Sequence, residues 1–218
     1  AGRDVSNPDD LIESLVRDLK PMPAHALERR MAALVLPALG LSLLVMLVFF
    51  GFRVDMAHAL SLPVFWIKSA YNALLAILAF VAIRRLSRPD GDAGGIFAGF
   101  GLVVAAMAIV AGIQLAVSPT ESYRVLIVGG SALHCPFLIL GFALPVLYAN
   151  FSLLRKSAPV DLRLAGFVAG LAAGAAGAWV YSWFCTENGM PFVLLWYSLG
   201  ILLVGLIGAL AGPRLLRW

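Results

Sequence analysis

Six stretches of about 20 consecutive apolar residues constrain this chain more than anything else in it. They cover residues 31–50, 63–83, 96–117, 132–154, 164–184 and 190–210. A hydrocarbon layer about 30 Å thick takes about 20 residues to cross at roughly 1.5 Å each. Inside lipid every backbone N–H and C=O needs an internal partner, and runs of this length find one as helices. Composition agrees: of 218 residues, 61% are hydrophobic and 13% charged, too few charges to coat a water-soluble domain. The expected fold is all-α, a six-transmembrane-helix bundle over 31–218 preceded by a polar cytoplasmic segment, 1–30. The first apolar run starts only after Arg29 and Arg30, so no cleavable signal peptide is expected.

Charge sets the expected orientation. With the N-terminus in the cytoplasm, thirteen of the 16 Lys and Arg residues fall on the inner side, and only Arg53 and Arg124 on the outer side. That asymmetry follows the positive-inside rule and predicts both termini inside, in a multi-pass protein of a bacterial inner membrane. The net charge of +4 is then a topological marker rather than a nucleic-acid footprint. Lys68 is the sixteenth, within the second run. Helical rise places it roughly 24 Å above the inner boundary, where its stem would snorkel to the outer interface unless it serves transport or ligand binding.

Small residues indicate how helices touch. Gly166, Gly170 and Gly174 recur every fourth position in the fifth run, a face along which another helix can approach closely, and Gly208 and Gly212 form a shorter one in the sixth.

Two cysteines are too few for a disulfide scaffold or a zinc knuckle. Counting from the inner loop around Arg155 and Arg163, Cys135 and Cys185 both land about 30 Å up, at the outer edge. Pro136 marks either a helix start or a kink, and a thiol at a helix N-terminus feels freed N–H groups and the dipole. His134 adjoins one cysteine, Glu187 follows the other, and His58 occupies another outer loop. These five residues could hold a transient heavy-metal ion such as Zn²⁺ or Cd²⁺. The two thiols could equally form a disulfide in an oxidising space, or be plain buried hydrophobes. No resident cofactor is expected.

The tail "NPDDLIESLVRDLKPMP" reads as a short amphipathic helix. Asn7 can cap it, Pro8 suits its first position, and Asp9, Asp10 and Glu13 complement its dipole. Leu11, Leu15 and Leu19 form a stripe flanked by Ile12 and Val16. A dozen residues are marginal as a free helix, so the stripe needs a surface. With four acidic residues the helix suits anionic lipid poorly, and a groove on a cytoplasmic protein fits better.

Taken together these residues resemble the membrane-embedded anti-sigma factors of the NrsF (negative regulator of sigma F) type. The resemblance is carried by "DDLIESLVRDLKPM", "ALHC", "LRKSAP", "AGFVAG", Tyr181, "CTE" and "FVLLWYSLG". Arg155, Pro159, Gly166, Tyr181, Cys185, Phe192, Trp196, Tyr197 and Gly200 fall at the family's spacing. One departure is Leu162, where that family usually has a second proline after "AP". The resemblance implies a regulator, not an enzyme. Its tail, including Asp10, Leu11, Ile12, Leu15, Val16 and Leu19, would hold an extracytoplasmic-function (ECF) sigma factor at the membrane. Heavy metal or oxidant acting on Cys135 and Cys185 would free it. Two rivals are weaker. A membrane thiol oxidoreductase generally needs a Cys-x-x-Cys pair plus a second pair, and a transporter needs midplane charges or broken helices.

Overall fold

In a computed structural model of the chain, residues 26–87, 94–157 and 159–217 are described. Among them the regular structure is helical, and six helices are long and apolar enough to cross a membrane. These are α1 (Ala26–Phe49), α3 (Pro63–Leu86), α4 (Gly94–Val117), α6 (Cys135–Leu154), α7 (Leu162–Ser182) and α8 (Met190–Leu215). Two short helices, α2 (Met56–Ala59) and α5 (Tyr123–Ile127), lie in the connections. The helical tail expected over residues 7–20, with Asp10, Leu11, Ile12, Leu15, Val16 and Leu19, lies outside the described residues.

Local chemistry explains the boundaries. Pro63 and Pro136 stand in the first turns of α3 and α6, where a fixed φ suits the helix and a missing N–H costs nothing. Asp161 caps α7, its Oδ1 accepting from the N–H groups of Arg163 (2.8 Å) and Leu164 (3.0 Å). The first helix begins before its apolar run, so Glu28, Arg29 and Arg30 are helical. Hydropathy marks where lipid would start, whereas a helix continues through charged residues as long as its backbone bonds do.

Helix α7 is the hub. It packs most extensively on α8, then on α6 and α3, and most of its length is buried. Its glycines make this possible. A Cβ on Gly166 would strike the carbonyl oxygen of Gly208, and one on Gly170 the carbonyl of Val204, with Gly205 Cα 2.7 Å away. One on Gly174 would come within 3.0 Å of Ile201. Contact is reciprocal, since Gly208 faces the Gly166 carbonyl and Gly212 that of Leu162. Gly177 faces α6, against Ile139 and Ala143. Helices α1 and α4 are peripheral, and large apolar side chains such as Phe49, Leu102, Tyr148 and Leu210 point outward. An apolar exterior around a close-packed interior is what a lipid solvent favours.

The helices alternate in direction, so the bundle has two distinct ends. At one, near the start of α1, Glu28 pairs with Arg84 at 2.6 Å. The other gathers the start of α6, the end of α7 and both cysteines. A 20-residue helix such as α6 separates them by about 30 Å.

Candidate functional site

Between α7 and α8 the chain leaves helical structure over residues 185–189 and crosses the end of the bundle as an extended strap. An extended segment leaves its carbonyls without helical partners, and here two buried cations supply them. Lys68 Nζ donates to the carbonyls of Cys185 (2.9 Å) and Glu187 (3.1 Å). Arg53 Nη1 donates to the Cys185 carbonyl (3.4 Å) and to Asn188 Oδ1 (3.5 Å). Gln114 completes the clamp: its Nε2 donates to the Asn188 carbonyl (3.3 Å), and its Oε1 accepts from the Met190 N–H (2.6 Å). Lys68 has no exposed surface. The snorkelling expected of it does not occur, because the strap brings acceptors to the ammonium and removes the need to reach water.

Arg53 reaches this point from the loop after α1. It forms a two-point ion pair with Asp55, Nε to Oδ1 at 2.6 Å and Nη2 to Oδ2 at 2.7 Å. That bond, and then the positive charge behind it, hold the Asp55 carboxyl down at about 2. The same bond pushes the guanidinium up from its ordinary value.

Both cysteines are free thiols buried in the same hydrophobic core. Cys135 opens α6, its N–H donating to the Ser131 carbonyl (2.9 Å), and Cys185 closes the last turn of α7 on Tyr181 (2.9 Å). Tyr181 is in electrostatic reach of both thiols and lies with Ser131 and Cys185 around one cleft. Tyr197 stacks on Tyr181 with ring centroids 5.4 Å apart. Its hydroxyl is buried, has no hydrogen-bond partner among the described residues, and is in electrostatic reach of both sulfurs. A π-helical stretch, Val193–Tyr197, widens the start of α8 here and turns Tyr197 inward. A cleft of about 240 Å³ opens beside this group, lined by Phe50, Arg53, Ser131, Tyr181, Cys185 and Thr186 among others.

The remaining expected ligands are dispersed. His134 and His58 are exposed. The Glu187 carboxylate is used structurally, accepting from the Gly130 N–H (2.8 Å) and Ser131 Oγ (3.2 Å). Among the described residues no three of His, Cys, Asp and Glu come together as a metal site, so Cys135, Cys185, His134, His58 and Glu187 do not form one ligand set. The fit of Zn²⁺ or Cd²⁺ to a four-ligand shell is correspondingly poor. No sequence motif marks Arg53 or Gln114, and none assigns a role to Tyr197. The available signal was the rarity of polar side chains near the outer ends of apolar runs.

Comparison with known proteins bears on the whole chain. A family model described as "Negative regulator of sigma F" (NrsF) matches residues 15–218. The chain belongs to the NrsF family. Two NrsF relatives show how far the likeness extends. The "Anti-sigma-F factor NrsF" of Caulobacter vibrioides is 39% identical over 216 residues, covering 96% of this chain and 99% of the relative. The "Probable anti-sigma-F factor NrsF" of Azospira oryzae is 37% identical over 211 residues, with the same coverage. No solved structure matches the chain.

Proposed function

We propose that this NrsF-family protein is an anti-sigma factor of the inner membrane. Its cytoplasmic tail holds an ECF sigma factor away from core RNA polymerase, and a change at the thiol pair releases it. Membership of a family of negative regulators of sigma F is the observation that carries the first half. The second half is supported by two buried thiols in one core at the bundle end opposite the start of α1. A signal between ends about 30 Å apart requires an element with two arrangements, biased by the stimulus through its own differential affinity. Helix α7 suits that role: it carries Tyr181, leads into Cys185, and packs against α8 on a nearly side-chain-free glycine face. On this reading the two sulfurs do the sensing, and His58, His134 and Glu187 take no part as ligands.

The experiment is co-expression of the full-length protein with a candidate ECF sigma factor, read by a sigma-dependent reporter. Expected is silencing at rest and induction by a thiol-reactive stimulus. Cys135→Ser with Cys185→Ser should leave the silencing and abolish the induction. A double variant that still responds normally would remove the thiols from the mechanism, and a chain that never silences any partner sigma factor would remove the anti-sigma reading.

A further inference from the structure

The surroundings of the two cysteines are unequal. Cys185 lines the open cleft, while Cys135 is fully buried and does not. Both buried cations converge on the Cys185 backbone carbonyl, Lys68 at 2.9 Å and Arg53 at 3.4 Å. Lys68 bridges the carbonyls of Cys185 and Glu187, and Arg53, itself paired with Asp55, holds the first of them as well, so the strap that presents Cys185 to the cleft is fixed from two sides. The cleft is small, walled by Phe50, Phe52 and Phe184, with Thr186 and Ser131 hydroxyls along it. It would admit a small reagent of mixed polarity. Among the described residues no third ligand joins the two sulfurs, and their arrangement favours covalent thiol chemistry over a closed metal shell.

We propose that the pair is asymmetric: Cys185 meets an incoming hydroperoxide first, Lys68 is the positioning residue that holds its strap at the cleft, and Cys135 resolves the product. The inference rests on the thiol pair being the sensor. In the first step the Cys185 sulfur attacks one peroxide oxygen. An S–O bond forms, the O–O bond breaks, and the departing alkoxide or hydroxide takes up a proton, leaving Cys185 as a sulfenic acid. In the second the Cys135 sulfur attacks that sulfenic sulfur. The S–S bond forms, and the displaced hydroxide leaves as water with the Cys135 proton. The peroxide is reduced and the dithiol oxidised, two electrons each. Tyr181, which lines the cleft with Cys185, offers its hydroxyl as a donor to the oxygen in transit.

The test uses full-length protein in nanodiscs, treated with hydrogen peroxide and trapped with dimedone, with adducts located by mass spectrometry. Cys135→Ser should accumulate the adduct on Cys185. Cys185→Ser should form it on Cys135 at least tenfold more slowly, and the parent chain should form a disulfide. Lys68→Gln shortens the side chain and removes the ammonium that bridges the Cys185 and Glu187 carbonyls. It should slow trapping at Cys185 about tenfold but leave the rate at Cys135 in the Lys68→Gln, Cys185→Ser chain equal to that in Cys185→Ser, which a general loss of structure would not do. Equal trapping rates, faster trapping at Cys135, or unchanged trapping at Cys185 in Lys68→Gln would each overturn the proposal. If Lys68→Gln fails to assemble, the two cysteine variants decide alone. Failure of the underlying reading looks different: both single cysteine variants would then still induce the sigma regulon normally in cells.

Discussion

At the scale of single residues, the end of the bundle is held by side chains whose partners are far away in sequence. Lys68 binds a carbonyl 117 positions on, and Arg53 one 132 positions on. The Arg53–Asp55 pair gives a pH prediction. Asp55 has its carboxyl lowered from 3.8 to about 2 on folding, so its contribution to stability is complete above pH 3.8. It fades as pH falls below that and is gone below about 2. Carbon-detected NMR of labelled aspartate should show Asp55 still ionised at pH 3, where an unpaired aspartate is mostly protonated. A second prediction concerns Gly129, at φ +56° with the Glu187 carboxylate carbon 2.6 Å from where a Cβ would sit. Gly129→Ala should lower thermal stability, with about 1–2 kcal/mol from the left-handed backbone alone. Glu187→Gln, which keeps an acceptor oxygen, should cost less in the same melting experiment. Lys68 shows why such detail was hard to read beforehand. Its depth follows from counting turns, but its burial depends on a strap that only long-range folding delivers.

At the scale of elements, the interface of α7 with α8 is the most consequential contact. Gly170→Leu would drive a side chain into the Val204 carbonyl and Gly205, with no room to rotate away. Overpacking of this kind typically costs about 1–3 kcal/mol. We expect a lowered melting temperature and loss of stimulus response, measured by the sigma-dependent reporter. Gly112→Leu in α4 is the control, since nothing lies within 4 Å of its added Cβ, and it should change neither. A normal response in Gly170→Leu would exclude tight α7–α8 packing from the switch. The glycine period of four was visible in the sequence because it repeats on one helix face. The partner was not, because α6, α3 and α8 all pack on α7 and any could have matched it. The reciprocal glycines at Gly208 and Gly212 decided for α8. The π-helical turn at Val193–Tyr197 has no comparable sequence signature, since it shifts one hydrogen bond without changing hydropathy.

At the scale of the whole molecule, the architecture predicts its own topology. Alkaline phosphatase fused after Ser118 should be active, as expected of an outer loop, and inactive when fused after Ser157. The reverse pattern would invert the proposed orientation and separate the tail from any cytoplasmic sigma factor. The sequence by itself determined the all-helical class, the six long apolar helices and the common level of the two cysteines. These are local quantities: hydropathy summed over about 20 residues, and distance counted at a fixed rise per residue. Only the tertiary structure decided which groups surround each sulfur. It set Arg53, Lys68, Tyr181 and Tyr197 around the pair, left His58 and His134 in the open, and tied Glu187 to the turn at Gly130. The physical reason is that a site's chemistry is set by which distant segments meet and in which directions their donors point. No property read along a single helix carries that information.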